Sequence, residues 1–198
     1  MMKVSQVLAA GLFGLMLTAQ SASALPIASV IYGGQKYDLY AATDVTGLIS
    51  WADANAAATT AGGYLAVLTS LAEAQAVYNG LINNGFFIQT GNVDDLAYSK
   101  QAWVGATPTV AGTKDPNDWK WVTGEPWTAF DVGNFYAGGE PNGDNGGGGL
   151  VLNRFNSIEW NDVTLAGGYI VESVPDGGTT VGLLGLALTG LGLLRRRV

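Results

Sequence analysis

Gly139-Glu140-Pro141-Asn142 and, eighteen residues past Asn142, Trp160-Asn161-Asp162 are the stretches on which the reading of this chain turns. Between them runs Gly143 to Gly149, ending in four consecutive glycines that cannot hold a helix. The two stretches supply two carboxylates and two side-chain amides, all hard oxygen donors. Ca2+ takes about six to eight such oxygens and leaves room for water or a ligand. A proline between two donors stiffens their spacing, and an X-Pro bond is free to be cis. On spacing alone such residues are more often turn formers, because Asn and Asp bond their own backbone in glycine-rich loops.

Composition narrows the chemistry. The chain has 198 residues, no cysteine, no histidine, 13% charged residues and a net charge of −7. Without cysteine there is no disulfide framework, Cys-ligated zinc or thiol nucleophile. Without histidine there is no Ser-His-Asp triad and no imidazole base. Nine basic residues in an acidic chain offer no broad phosphate-neutralising surface, which excludes nucleic acid as a partner. Oxygen ligation of a hard cation passes this filter. A glycosidase-type carboxylate pair would have to come from Glu125, Glu140 and Glu159. Acidic loop residues are more commonly ligands or solvated, so the chain is expected not to be an enzyme.

Both ends look like targeting segments. Residues 1–24 hold Lys3, an apolar run from Val7 to Leu17 and Ser21-Ala22-Ser23-Ala24, the order of a signal peptide cut after Ala24. Residues 174–198 hold Val174-Pro175-Asp176-Gly177-Gly178, an apolar stretch from Val181 to Leu194 and Arg195-Arg196-Arg197. As a helix that stretch reaches about 21 Å, against a hydrocarbon core of about 30 Å. Thr179, Thr180 and snorkelling arginines nearly close the gap, and the arginines stay cytoplasmic. The order resembles a PEP-CTERM-type sorting signal in its Val-Pro-Asp-Gly-Gly variant. That resemblance implies an exported protein at the cell surface or outside it, anchored in the inner membrane before an exosortase-type enzyme processes it. It also implies a host with an extracellular polysaccharide matrix. Residues 25–173 remain as one domain, with 15 acidic and five basic residues and a net charge near −10.

Within the domain, Lys36 to Tyr40 reads as a first strand. Ser50 is a helix N-cap, and the helix from Trp51 to Ala61 is stopped by Gly62-Gly63. Tyr64 to Leu68 is a short apolar strand. Ser70-Leu71-Ala72-Glu73 is a capping box that opens a second helix, with Ala74, Val77, Tyr78, Leu81 and Ile82 on one face. Asn83-Asn84-Gly85 ends it, and Gly91 to Lys100 is a polar loop. Ala102 to Gly105 is a strand, and Thr123 to Gly149 is a long irregular loop. Leu150 to Leu152, the segment at Trp160, and Tyr169 to Val171 are closing strands. Trp51, Trp103, Trp119, Trp121 and Trp160 are expected in the core. Trp127 and Tyr136 stand in the loop, where aromatic rings stack on sugars.

These pieces, in this order, resemble a C-type lectin-like domain. Ser50-Trp51-Ala52-Asp53-Ala54 is similar to that family's first helix. Gly62-Gly63-Tyr64-Leu65-Ala66 and Ser70-Leu71-Ala72-Glu73 are similar to its second strand and second helix. Trp103-Val104-Gly105 is similar to its Trp-Ile-Gly core motif, and Trp119-Lys120-Trp121 with Gly124 to its hairpin. Tyr169-Ile170-Val171-Glu172 resembles the closing strand, and Glu-Pro-Asn with Trp-Asn-Asp is the most specific part. The resemblance implies an α+β double-loop fold: two helices, two small antiparallel sheets and a long irregular loop. It implies Ca2+ held by Glu140, Asn142, Asn161 and Asp162, a cis bond at Pro141, and mannose- or glucose-type sugars on the same four residues, with Trp127 alongside.

Two departures stand out. The family's disulfides are absent, so the strands near Ile31 and Glu172 must be held by pairing and packing. A further carboxylate expected just before Leu150 falls on Gly147-Gly148-Gly149, with Asp144 and Asn145 as substitutes. The loss of one charged ligand weakens Ca2+ toward or beyond about the millimolar range. The expected function is a secreted or surface Ca2+-dependent carbohydrate-binding module engaging a polysaccharide. The alternative is a structural or protein-binding module of the same fold with a degenerate metal site.

Overall fold

The computed structural model describes residues 24–42, 47–82, 86, 98–135, 138–143, 148–153 and 156–174. Residues 1–23 of the expected signal peptide and 175–198 of the sorting segment lie outside the described residues, as do Tyr136, Asp144, Asn145 and most of the loop expected at 91–100.

The chain opens on a hairpin. β1 (Ala28–Tyr32) turns at Gly33-Gly34, both at positive φ, into β2 (Gln35–Ala41). The expected strand at 36–40 is therefore the second one. β1 escapes sequence reading because Ile31 and Tyr32 point to solvent and blur the alternation. α1 (Trp51–Thr60) starts at Ser50, whose hydroxyl accepts from the Asp53 N–H. β3 is only Tyr64–Leu65, and α2 spans Leu71–Ile82. The Glu73 N–H donates to the Ser70 hydroxyl, the first half of a capping box. The Glu73 carboxylate accepts from the Thr69 N–H, one residue before the cap.

β4 (Ala102–Trp103), β5 (Ala106–Pro108) and β6 (Trp119–Trp121) follow, then a short α3 (Ala129–Gly133). β7 (Gly149–Leu152), β8 (Asn161–Val163) and β9 (Gly168–Ser173) close the chain. The fold is α+β, but it departs from two helices and two small antiparallel sheets. Among the described residues there is a third helix, and the sheets are unequal. Seven strands form one mixed sheet in the order β1-β2-β9-β4-β7-β8, with β3 also on β9 and β4 parallel to β9. β5 and β6 make a separate antiparallel pair. Central β9 is shared because its last residues pair with β3 and its first with β4, while β2 runs along the other side.

Strand alternation sends side chains to two cores. Tyr37, Leu39, Ala102, Leu150, Leu152 and Ile170 pack with α2 and with Trp119, Trp121 and Trp160. Tyr40, Trp103, Val151, Val163, Tyr169 and Val171 pack with Ala54 and Ala58 of α1. The work of the absent disulfides falls to polar links between strands and helices. Tyr37 donates to Glu73 at 2.7 Å. The Glu172 carboxylate takes the Val67 N–H at 2.9 Å and the Tyr64 hydroxyl at 3.0 Å. Tyr40 and Tyr169, partners across β2 and β9, stack with centroids 5.2 Å apart.

Glu172 is buried without a cationic partner in these bonds, and burial pushes its carboxyl up from the ordinary range. Burial and the neighbouring Glu172 carboxylate push the Tyr64 hydroxyl up to about 12. For an acid raised on folding, the stabilising form is the protonated one. Its contribution is full below the unfolded value of about 4.3 and is lost as pH rises through the folded value. Thermal melts of the domain are thus expected to show a Glu172-dependent loss of stability on going from acidic toward neutral pH. Glu172→Gln should flatten that slope. An unchanged slope in the variant would remove Glu172 as its source.

Candidate metal and sugar site

The Glu140–Pro141 bond is cis, and the turn it makes lies between Gly139 and Gly143, both at positive φ. Gly143 has a second reason to be glycine: a Cβ there would stand 2.5 Å from the Gly112 carbonyl oxygen and 3.3 Å from Cγ of Lys114. The loop from Thr109 to Asp118 therefore walls one side of the site. Thr113 donates to Asp118 at 2.8 Å and Asn117 to Asp115 at 2.7 Å within that wall.

Inside the turn, Glu140 Oε2 accepts from the Asn142 N–H at 3.0 Å and Oε1 from Asn142 Nδ2 at 3.3 Å. Asp162 reaches in from β8. Its Oδ1 accepts from the same Asn142 N–H at 3.1 Å, and its Oδ2 from the Gly143 N–H at 3.0 Å. Two carboxylates twenty-two residues apart thus converge on one backbone nitrogen. Glu140 and Asn142 are half-buried, and Asp162 is 3% exposed.

Asn161 is placed differently. It faces Val151 in the β7–β8 register, whereas Asp162 faces Leu150, so the two side chains leave opposite faces of the strand. Asn161 Nδ2 donates to Gln101 Oε1 at 3.1 Å, both residues being buried. The structure brings Glu140, Asn142 and Asp162 together and gives Asn161 a partner at the start of β4. Gln101 and Lys114 had no signal in the sequence. A buried polar residue beside a two-residue strand carries no periodicity, and the approach of Lys114 depends on loop packing.

The glycines at the expected extra carboxylate have a physical cause. A Cβ on Gly149 would lie 2.1 Å from Cδ1 of Trp51, whose indole N–H donates to the Val104 carbonyl at 3.0 Å. A Cβ on Gly148 would meet the Val163 carbonyl oxygen at 2.4 Å. The backbone runs too close to both neighbours for a side chain at either position.

Trp160, which precedes Asn161 and Asp162, belongs to an aromatic cluster. Trp160 is fully buried and meets Trp121 and Phe130 edge-on, at 6.0 and 6.1 Å between centroids. The Trp160 backbone N–H donates to the Asn134 carbonyl at 2.7 Å. Trp127, half-buried, packs on Trp121 and Phe135 and donates from Nε1 to the Pro116 carbonyl at 2.8 Å. Asp131, fully buried, accepts from the Thr128 N–H and hydroxyl at the start of α3, and burial holds its carboxyl above the ordinary range. Of the other acids, Glu125 accepts from Thr123 on the surface and Glu159 from Ser157 at 2.9 Å.

The donor set decides how well Ca2+ fits. Two converging carboxylates beside an amide side chain are hard-cation chemistry, and they fit a weakly held Ca2+. They fall short of the six to eight oxygens of a tight site by about half, leaving the balance to solvent or ligand. Among the described residues no group of three or more Asp, Glu, His or Cys is gathered, in keeping with two carboxylates.

Solved structures share this arrangement of strands and helices. Human lithostathine matches with a TM-score of 0.53 at 17% identity, over 82% of this chain and 99% of its own. The C-type carbohydrate-recognition domain of cow CD23, solved with a GlcNAc2Man3 oligosaccharide, matches at 0.51 and 18%, over 77% of this chain and 98% of its own. The fold is that of a C-type lectin-like domain. A Ca2+-independent C-type lectin, SPL-2 of Saxidomus purpuratus, matches at 0.49 and 20%, over 77% of this chain and 95% of its own. Residues 173–198 match the VPDSG-CTERM motif. No curated protein matches the chain in sequence. Among the described residues no helix is long and apolar enough to cross a membrane, and the expected span at 181–194 lies outside them.

Proposed function

We propose that this C-type lectin-like domain is an exported carbohydrate-binding module, a binder and not an enzyme. It takes mannose- or glucose-type sugars at Glu140, Asn142 and Asp162. Residues 1–24 serve as its signal peptide. Residues 174–198 serve as a sorting segment that enters the inner membrane and is processed there by an exosortase-type enzyme, leaving the domain at the surface or in a polysaccharide matrix. The observation that carries the binding reading is the convergence of Glu140 Oε2 and Asp162 Oδ1 on the Asn142 N–H. A pair of vicinal hydroxyls finds there what it needs: carboxylate oxygens that accept O–H and an amide that donates. Ca2+ held by Glu140, Asn142 and Asp162 would supply Lewis-acid coordination to those hydroxyls. The loop residues orient the sugar.

The test is retention of the mature domain on immobilised mannose or glucan. Retention is expected in millimolar Ca2+ and loss is expected with chelator or in Asn142→Asp, which removes the donor amide. Retention unchanged by both would sink the site.

One observation favours a second reading, a protein-binding or structural module with a degenerate metal site. All four carboxylate oxygens of Glu140 and Asp162 accept hydrogen bonds within the loop, and neither Gly148 nor Gly149 has room for a side chain that could add a ligand. Calorimetry separates the two, since only the first expects heat on adding a few millimolar Ca2+.

A further inference from the structure

The candidate sugar site contains an Asn-Gly step, Asn142-Gly143, and both residues are half-buried at the edge of solvent. Asparagine before glycine is chemically labile because no Cβ on the following residue hinders ring closure. The Gly143 nitrogen attacks Cγ of Asn142, forming a C–N bond. The Cγ–Nδ2 bond breaks, Nδ2 takes up the proton lost by Gly143, and ammonia leaves. Water then opens the cyclic imide at either carbonyl, giving aspartate or isoaspartate at position 142. The reaction needs the Gly143 N–H to lose its proton to hydroxide.

Both ends of this reaction are held. The Gly143 N–H donates to Asp162 Oδ2 at 3.0 Å, and Asn142 Nδ2, the leaving group, donates to Glu140 Oε1 at 3.3 Å. A carboxylate hydrogen-bonded to the attacking nitrogen fixes its position. It also disfavours the negative charge that the nitrogen must carry, as any like charge does. We infer that Asn142-Gly143 is a deamidation site whose rate is set by Asp162, so that the loop ages into an inactive form only where Asp162 lets go of Gly143. Isoaspartate would add a methylene to the backbone and move the Gly143 N–H off Asp162. Aspartate would remove the amide donor. That either product ends sugar binding rests on the function proposed above; the conversion itself does not.

The chain offers an internal control. Asn79-Gly80 lies in α2, where Gly80 faces Val30 and a helical backbone holds the N–H. The mature wild-type domain and its Asp162→Asn variant are aged at mildly alkaline pH and digested, and fragment-ion masses assign conversion to positions 142 and 79 separately from the neighbouring Asn145-Gly146 and Asn84-Gly85 steps. The variant should convert at Asn142 about tenfold faster, the worth of one hydrogen bond to a charged group, with Asn79 unchanged in both. Equal rates at Asn142, or a rise at Asn79 matching that at Asn142, overturns the inference. Asn142→Gln, whose longer side chain does not close the five-membered ring, should abolish the mass gain at position 142, whatever Asn145 does. Persistence in that variant of the full gain that wild type shows across the 142–143 fragment would place the reaction elsewhere, and the inference would fail.

Discussion

Trp160→Ala is expected to unfold the domain or bring it to the edge of unfolding. The indole is fully buried, meets Trp121 and Phe130 edge-on, and its own backbone N–H ties β8 to Asn134. Truncating a buried tryptophan costs roughly 3–5 kcal/mol. A domain of this size holds only about 5–15 kcal/mol in all, and here no disulfide stands behind the core. The denaturant midpoint should fall by the corresponding amount. Trp127→Ala should cost less, because that ring is half-buried. A loss below about 1 kcal/mol for Trp160→Ala would mean that the aromatic cluster does not carry the strand that presents Asp162.

Asp162→Ala should act on the site more than on the core. It strips acceptors from the N–H groups of Asn142 and Gly143, which then have to find water. Each lost bond to a charged acceptor is worth about 1.5–3 kcal/mol. Sugar retention should fall roughly 10- to 100-fold, the arithmetic of one such bond. The melting midpoint should fall less than in Trp160→Ala, because Asn142 and Gly143 are half-exposed and their freed N–H groups regain water, whereas the space left by the Trp160 indole is sealed. If retention held while stability collapsed, Asp162 would be a structural clamp alone.

Much of this fold is legible from residues. Ser50 and Gly62-Gly63 bracket α1, and the helical spacing of Ala74, Val77, Tyr78 and Leu81 marks the buried face of α2. The tryptophans expected inside are inside, with Trp51 half-buried against Gly149. Other features belong to register, which a sequence does not display. The parallel contact of β4 with β9 depends on where a two-residue strand docks. Thr128 and Asp131 form a small capping motif, but in a five-residue helix its signal drowns among turn residues.

The same holds within the site. Glu140, Asn142 and Asp162 are visible as a motif and meet in space. Asn161 sits beside Asp162 in sequence and across the strand from it in space, because adjacent strand residues face opposite ways. The run of glycines reads as a missing ligand; at Gly148 and Gly149 the structure adds that Val163 and Trp51 occupy the room a side chain would need.

Sugar binding by the loop of Glu140, Asn142 and Asp162, with the help of Ca2+, is what we propose for this domain. A glycan array probed with the mature domain, with and without Ca2+, tests it most directly. The expected result is a Ca2+-dependent signal on mannose- and glucose-type glycans that Asn142→Asp abolishes. An array blank under both conditions, or a signal indifferent to Ca2+ and to that substitution, would contradict it.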